Sequence, residues 1–234
     1  MDKDIVKRRQ QQVLYDIKWR KLSKRTWIFR HLPFVDFVLA AGSLATGNVH
    51  ESSDFDVLIS VKQGRIFTAR AVAVVVLGLL GWRRRKLSHK ESAADKICLN
   101  HFVTNQSWRL SPPHNYYWQK LYKNLVPIFG DANMIDDFWA ANHDWLGESV
   151  ILEDDLRYDG RSGAIDKRFL ETILAGWLGN KIEKYFKTIQ TRKIERSLKT
   201  DRPGYEPRIK YGDAELEFHP DTRRIAEYQR QEGW

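Results

Sequence analysis

Gly42-Ser43 and Asp54-Phe55-Asp56 are the residues of this 234-residue chain whose types and spacing could do chemistry. An apolar run, Val35 to Ala41, leads into the first pair, and Val57-Leu58-Ile59-Ser60-Val61 follows the second. The pattern is strand, Gly-Ser, short connection, Asp-x-Asp on a second strand. Side chains alternate along a strand, so Asp54 and Asp56 project from one face, roughly 6 to 7 Å apart at the backbone. Two carboxylates at that spacing repel each other at neutral pH unless a cation neutralises them. Hard divalent ions such as Mg²⁺ take oxygen ligands and fill the rest of their shell with phosphate oxygens and water. Glycine lets backbone approach a ligand closely, and the freed N–H groups of a helix start favour phosphate. These residue types in this order describe a metal–triphosphate site. The expectation is a cleft in which Asp54 and Asp56 face Ser43, open to solvent and not paired with a Lys or Arg of the chain.

Gly-Ser, ten residues, then Asp-x-Asp, with both halves at the ends of apolar strands, resembles the signature of the DNA polymerase β-like nucleotidyltransferase superfamily. The likeness is greatest to its minimal bacterial branch, and it covers Val35 to Ile59. Ser53 directly before the first Asp and the small Ala45 after Gly-Ser belong to the same pattern. The resemblance implies an α+β fold, a nucleotidyltransferase-like mixed sheet with packed helices, followed by a mainly helical C-terminal region. It implies that Gly42 and Ser43 hold the β- and γ-phosphates of a nucleoside triphosphate and that Asp54 and Asp56 bind Mg²⁺ or Mn²⁺. An acceptor hydroxyl or phosphate would attack the α-phosphorus and release pyrophosphate, and the C-terminal helices would select that acceptor. The chain departs from the family in two places. Thr46 stands where many relatives carry a basic residue. The later strand, Lys96 to Thr104, contains no third carboxylate; Asn100 or His101 stands in its place, with Asp95 just before the strand. Asn can ligate a metal but cannot act as a base, whereas His can. The alternative reading is therefore a catalytically weak or inactive nucleotide- or RNA-binding module, or a structural partner such as the antitoxin half of a toxin pair.

Composition sets the wider bounds. Hydrophobic residues at 42 % and charged residues at 29 % are those of a globular protein rather than a disordered one. Cys98 is the only cysteine, so no intrachain disulfide is possible and a reducing, cytoplasmic setting is expected. The first residues have no apolar core of the signal-peptide kind. The 12 apolar residues Ala71 to Trp82 precede Arg83-Arg84-Arg85-Lys86. As a helix they would reach only about 18 Å against a ~30 Å hydrocarbon core. A buried crossover helix over 65–82 is expected, with the basic cluster at its negative end, and no membrane partner. The net charge of +9 is concentrated: residues 1–31 hold ten Lys or Arg against three Asp, and residues 181–199 hold seven against two Glu. Such segments favour RNA or another polyanion, although solvated helix faces produce the same pattern. No zinc-ligand spacing, Walker loop, G-x-G-x-x-G or G-x-S-x-G elbow occurs.

The elements that must position the site follow from periodicity. A leading helix fills about the first 25 residues, and strands are expected at 35–41, 54–61 and 96–104. Ser111-Pro112-Pro113 marks a boundary, which divides the chain into a core, 1–111, and a helical region, 112–234. Helices are expected at about 115–125, up to Pro127, and at about 132–146. From Phe169 to Ile189 the apolar residues recur at a period of 3.5 to 3.6, a long amphipathic helix with a kink or split at Gly179-Asn180. Ala214 to Phe218 reads as a short strand, and Asp221 could cap a last helix through Arg230. His219 is either a structural residue or part of the cleft lining.

Overall fold

The computed structural model describes residues 3–84, 93–147, 155–160, 163–198 and 208–219. Six strands form one open mixed sheet: β1 Val35–Ala41, β2 Phe55–Val61, β3 Ile97–Val103, β4 Val126–Gly130, β5 Arg208–Tyr211 and β6 Glu215–His219. Their spatial order is β4-β1-β2-β3-β6-β5. Only β2 and β3 run parallel; every other neighbouring pair is antiparallel. Eight α-helices pack around the sheet among the described residues: α1 Lys3–Thr26, α2 Gly42–Ala45, α3 Ile66–Leu79, α4 Tyr116–Lys123, α5 Ala132–Ala140, α6 His143–Leu146, α7 Ile165–Ile173 and α8 Gly176–Leu198. The fold is α+β.

Alternation along the strands builds a core on each face. Phe55, Val57, Ile59 and Val61 of β2 bury against Leu22 of α1 and against Ile66, Phe67, Ala73 and Leu77 of α3. On the other face Leu58 joins Phe37, Leu39 and Val103, covered by Trp118 and Tyr122 of α4 and Phe138 of α5. The parallel step from β2 to β3 requires a crossover, and α3 supplies it.

Several expectations are corrected. Among the described residues the region beyond residue 112 is mainly helical, as expected, with five of the eight helices, but it also contributes β4, β5 and β6 to the sheet begun by β1 to β3, so strands from both sides of Ser111 form one layer. Pro127 lies within β4 rather than ending a helix, which is tolerated because β4 is an edge strand. The apolar segment 71–82 is only half buried. Its helix ends at Leu79, and Val75, Leu79 and Leu80 face outward while Ala73 and Leu77 face the sheet. No helix among the described residues is long and apolar enough to cross a membrane.

The long amphipathic helix is two helices, broken at Leu174 and Ala175 rather than at Gly179-Asn180. Gly179 has another task. A Cβ there would lie 1.6 Å from the Leu174 carbonyl oxygen, so only glycine lets α8 pass the end of α7. Of the expected apolar stripe, Leu174 and Phe186 pack on the core, while Phe169, Trp177, Tyr185 and Ile189 stay exposed. α8 packs on α3 and caps it from outside: Glu183 accepts from the backbone N–H of Phe67 (2.9 Å) and of Thr68 (2.8 Å). These are first-turn donors that no residue of α3 satisfies, since its own N-cap Arg65 makes no side-chain bond. The expected helix from Asp221 lies outside the described residues.

Candidate functional site

The sheet register brings the two halves of the motif together. Ala41, the last residue of β1, pairs with Asp56 of β2, so the Gly42-Ser43 turn begins where the Asp56 side chain projects. Gly42 has φ +66°, and a Cβ there would stand 2.3 Å from Asp56 Oδ2. Both the left-handed backbone and the closeness of the carboxylate require glycine. Gly42 and Ser43 are the first two residues of the four-residue helix α2, which Thr46 closes by donating its hydroxyl to the Gly42 carbonyl at 3.1 Å. Gly42, Ser43 and Asp56 are thus one local unit, with Asp54 just before β2.

The connection between the halves is braced by α1. Gln11 donates to the carbonyls of Gly47 (3.2 Å) and Val49 (3.0 Å). Lys18 is only 2 % exposed and donates to the carbonyls of Glu51 (2.7 Å) and Ser53 (2.8 Å) while pairing with Asp95 at 2.9 Å. A buried ammonium needs this full set of partners. Part of the basic N-terminal segment therefore holds the site's loop rather than facing solvent.

Parallel pairing sets Cys98 opposite Asp56. A donor atom from each of Asp54, Asp56 and Cys98 lies within 4.8 Å of the others. A bulge between the Asp56 and Leu58 pairings shifts β3, and Asn100 Nδ2 donates to Asp56 Oδ1 at 3.1 Å. Burial first, and the charge of Asp54 second, push the Asp56 carboxyl up to about 7, against the hydrogen bond with the Cys98 thiol and the attraction of Arg84. Burial and the same two carboxylates push the Cys98 thiol well up.

Asp54 departs from expectation. It is not open to solvent but paired with Arg84, whose Nη1 lies 2.6 Å from its Oδ2, and each side chain is 14 % exposed. The Arg84 backbone N–H is itself bonded to the Ile97 carbonyl at 2.9 Å, at the start of β3. Burial works to lower the Arg84 pKa, but the charges of Asp54, Cys98 and Asp56 and the hydrogen bond to Asp54 together outweigh it and raise the group overall.

Of the three substitutes for a third carboxylate, only Asn100 reaches the pair. Asp95 is spent on Lys18 and Lys21; burial works to raise its carboxyl, but hydrogen bonds from those lysines hold it below the ordinary range. His101 has both ring nitrogens committed, Nε2 to Glu215 (3.1 Å) and Nδ1 to the Tyr122 hydroxyl (3.3 Å). It belongs to a second polar cluster with Glu217 and His219, whose donor atoms also lie within 4.8 Å of one another. There Glu217 is fully buried but balanced by Arg208 (2.9 Å) and Lys210 (3.0 Å). Burial works to raise its carboxyl, and His219, His101 and Arg208 more than reverse this. The cluster ties β3, β5, β6 and α4 together. His219 is part of it.

The residues at the first cluster suit a divalent cation. Two carboxylates converge there beside the Cys98 thiol, and the adjoining backbone is too close to admit a Cβ, whereas the Arg84 guanidinium on Asp54 opposes a further cation. Nothing local in the sequence points to Arg84, which reads there as part of a helix-end cluster. Cys98 could have been found from strand alternation, since it stands two residues before Asn100 on the same strand. Comparison with protein-family models, with curated proteins and with solved structures gives no match.

Proposed function

We propose that the chain is a metal-dependent nucleotidyltransferase, moving a nucleoside monophosphate from a triphosphate to an acceptor hydroxyl or phosphate and releasing pyrophosphate. The observation that carries this reading is the contact between Gly42 and Asp56: a glycine-only turn pressed against a carboxylate leaves backbone donors and an anionic ligand side by side. The backbone and hydroxyl of Gly42-Ser43 would hold the β- and γ-phosphates, as N–H groups at a helix start do. Asp54 and Asp56 would hold Mg²⁺ or Mn²⁺, with phosphate oxygens and water completing the shell. When bound, the ion would neutralise charge on the phosphates and orient them for in-line attack. The protein's part is positioning, fixed by the β1–β2 register and by the Gln11 and Lys18 braces. A groove of about 650 Å³, lined by Asp4, Lys7, Arg8, Gln11, Gln12, Tyr15 and Gly47, opens beside this connection; its two cations outnumber its one carboxylate, which favours a polyanionic acceptor such as RNA.

A second reading, a nucleotide- or RNA-binding module with little or no turnover, is favoured by one observation. The position facing Asp56 on β3 holds Cys98, with Asn100 beside it, and no third carboxylate. Calorimetry with each of the four ribonucleoside triphosphates, with and without Mg²⁺ or Mn²⁺, tests both readings. Metal-dependent binding that disappears in the Asp54→Asn/Asp56→Asn variant is expected. Pyrophosphate release with bulk RNA or cell extract then separates transferase from binding module. No metal-dependent binding of any triphosphate at millimolar concentration would overturn both.

A further inference from the structure

We infer that Arg84 is a built-in counter-ion, seated where the metal would sit, which yields Asp54 to an incoming metal–triphosphate and then pairs with its phosphate oxygens. This rests on the nucleotidyltransferase reading and deepens it. Arg84 Nη1 lies 2.6 Å from Asp54 Oδ2, in a pair that is largely withdrawn from water on both sides. A pair of that kind is not incidental surface decoration, because a guanidinium and a carboxylate both lose hydration to make it. When Asp56 is ionised the two carboxylates carry more negative charge than one guanidinium can neutralise, and Asp56 directs its oxygens to Asn100 and Cys98 rather than to Arg84. A divalent ion bridging the two carboxylates would satisfy both. It could not share Asp54 Oδ2 with the guanidinium, since two cations at contact distance repel strongly in a half-buried site.

The backbone determines what happens to the displaced side chain. The Arg84 N–H is held on the Ile97 carbonyl at 2.9 Å, and the neighbouring Arg83 bridges to Ile97, so the root of the side chain is fixed to β3. A displaced guanidinium would therefore stay within reach of the site. The turn that would carry the triphosphate supplies backbone N–H groups and hydroxyls but no cation, since Thr46 follows Ala45 there. Arg84 is the nearest described arginine already in contact with the carboxylate pair, and guanidinium matches phosphate oxygens in two-pronged geometry. One residue would thus oppose the bare metal and favour the metal with its nucleotide.

The two effects have opposite signs, which makes the test specific. Mn²⁺ alone is titrated calorimetrically into the wild-type chain and into Arg84→Ala and Arg84→Gln, and the Mn²⁺ complexes of the four ribonucleoside triphosphates follow. Circular dichroism melts establish that the variants fold. Removal of the competing cation should tighten bare Mn²⁺ about tenfold or more, and loss of the phosphate partner should weaken the metal–triphosphate about tenfold. Arg84→Gln covers the case in which Arg84→Ala does not fold. Bare Mn²⁺ binding that is unchanged or weaker in a folded variant overturns the counter-ion role. Triphosphate binding that is unchanged or tighter overturns the handover. A wild-type chain that binds Mn²⁺ but no triphosphate instead removes the nucleotidyltransferase reading, and the bare-metal comparison still decides whether Arg84 competes for the seat.

Discussion

Replacing Asp56 with Asn should stabilise the protein, and only above the pH at which the unfolded carboxyl ionises. Burial and the neighbouring Asp54 raise the Asp56 carboxyl from 3.8 to about 7. Between those values the unfolded chain has lost this proton while the folded chain keeps it. The folded state binds more protons, so stability falls as pH rises through that window, and the loss is complete above about pH 7. The full difference corresponds to about 4 kcal/mol. The side chain retains some solvent contact and shares its penalty with Asp54, so about 2 to 4 kcal/mol is the expected gain for Asp56→Asn at pH 8. At pH 4 both side chains are neutral and the gain should vanish. Asp36, whose carboxyl burial raises to about 6, adds a similar decline to both proteins and cancels in the difference. Urea unfolding at pH 4, 6 and 8 in the presence of EDTA measures this directly. In thermal melts at pH 8 the gain should appear as roughly 5 to 15 °C for a chain of this size. An Asp56→Asn variant no more stable than wild type at pH 8, or equally more stable at pH 4, would refute the reasoning.

Two further predictions follow from contacts described above. Gly42→Ala should cost about 2 kcal/mol or more in urea unfolding and abolish Mn²⁺ binding, because it combines a φ of +66° with a clash against Asp56. Gly47→Ala, with φ +77° and nothing within 4 Å of its Cβ, should cost only about 1 kcal/mol; equal costs for the two would refute the proposed contact. Glu183→Ala should destabilise by about 1 to 3 kcal/mol and raise hydrogen exchange at the Phe67 and Thr68 amides, whose carboxylate acceptor it removes. Glu195→Ala, exposed on the same helix, should change stability by less than about 0.5 kcal/mol.

What was legible in the sequence was local. β1, β2 and β3 are continuous apolar runs and appear within a residue of their expected bounds, and the leading helix and β6 appear where expected. Gly42 and Asp56 could be assigned to one site because a strand, a turn and a strand leave little freedom in register. Features set by distant partners were not legible. β4 carries Pro127 and reads as a helix stop until its edge position is known. β5 is four half-buried residues, and its pairing with β6 defines it more than its own composition does. Arg84 and Lys18 look like ordinary members of basic runs; their partners lie 30 and 33 or more residues away in the chain. That Asn100 as well as Cys98 meets Asp56 depends on the bulge, which the sequence does not show.

The order of the strands also carries a schedule. β3 has β2 on one side and β6 on the other, and β6 is synthesised about 110 residues later. On a ribosome adding roughly 5 to 20 residues per second, the strand that bears Cys98 and Asn100 waits on the order of ten seconds for its second neighbour. Throughout that wait it presents an unpaired row of N–H and C=O groups beside Leu99 and Phe102, the kind of edge that recruits other chains. The two-strand unit of β5 and β6 is therefore a closing seam: until it arrives, the nascent protein has a site-bearing strand with a sticky margin, and a chaperone that shields the margin has a defined stretch of chain to cover.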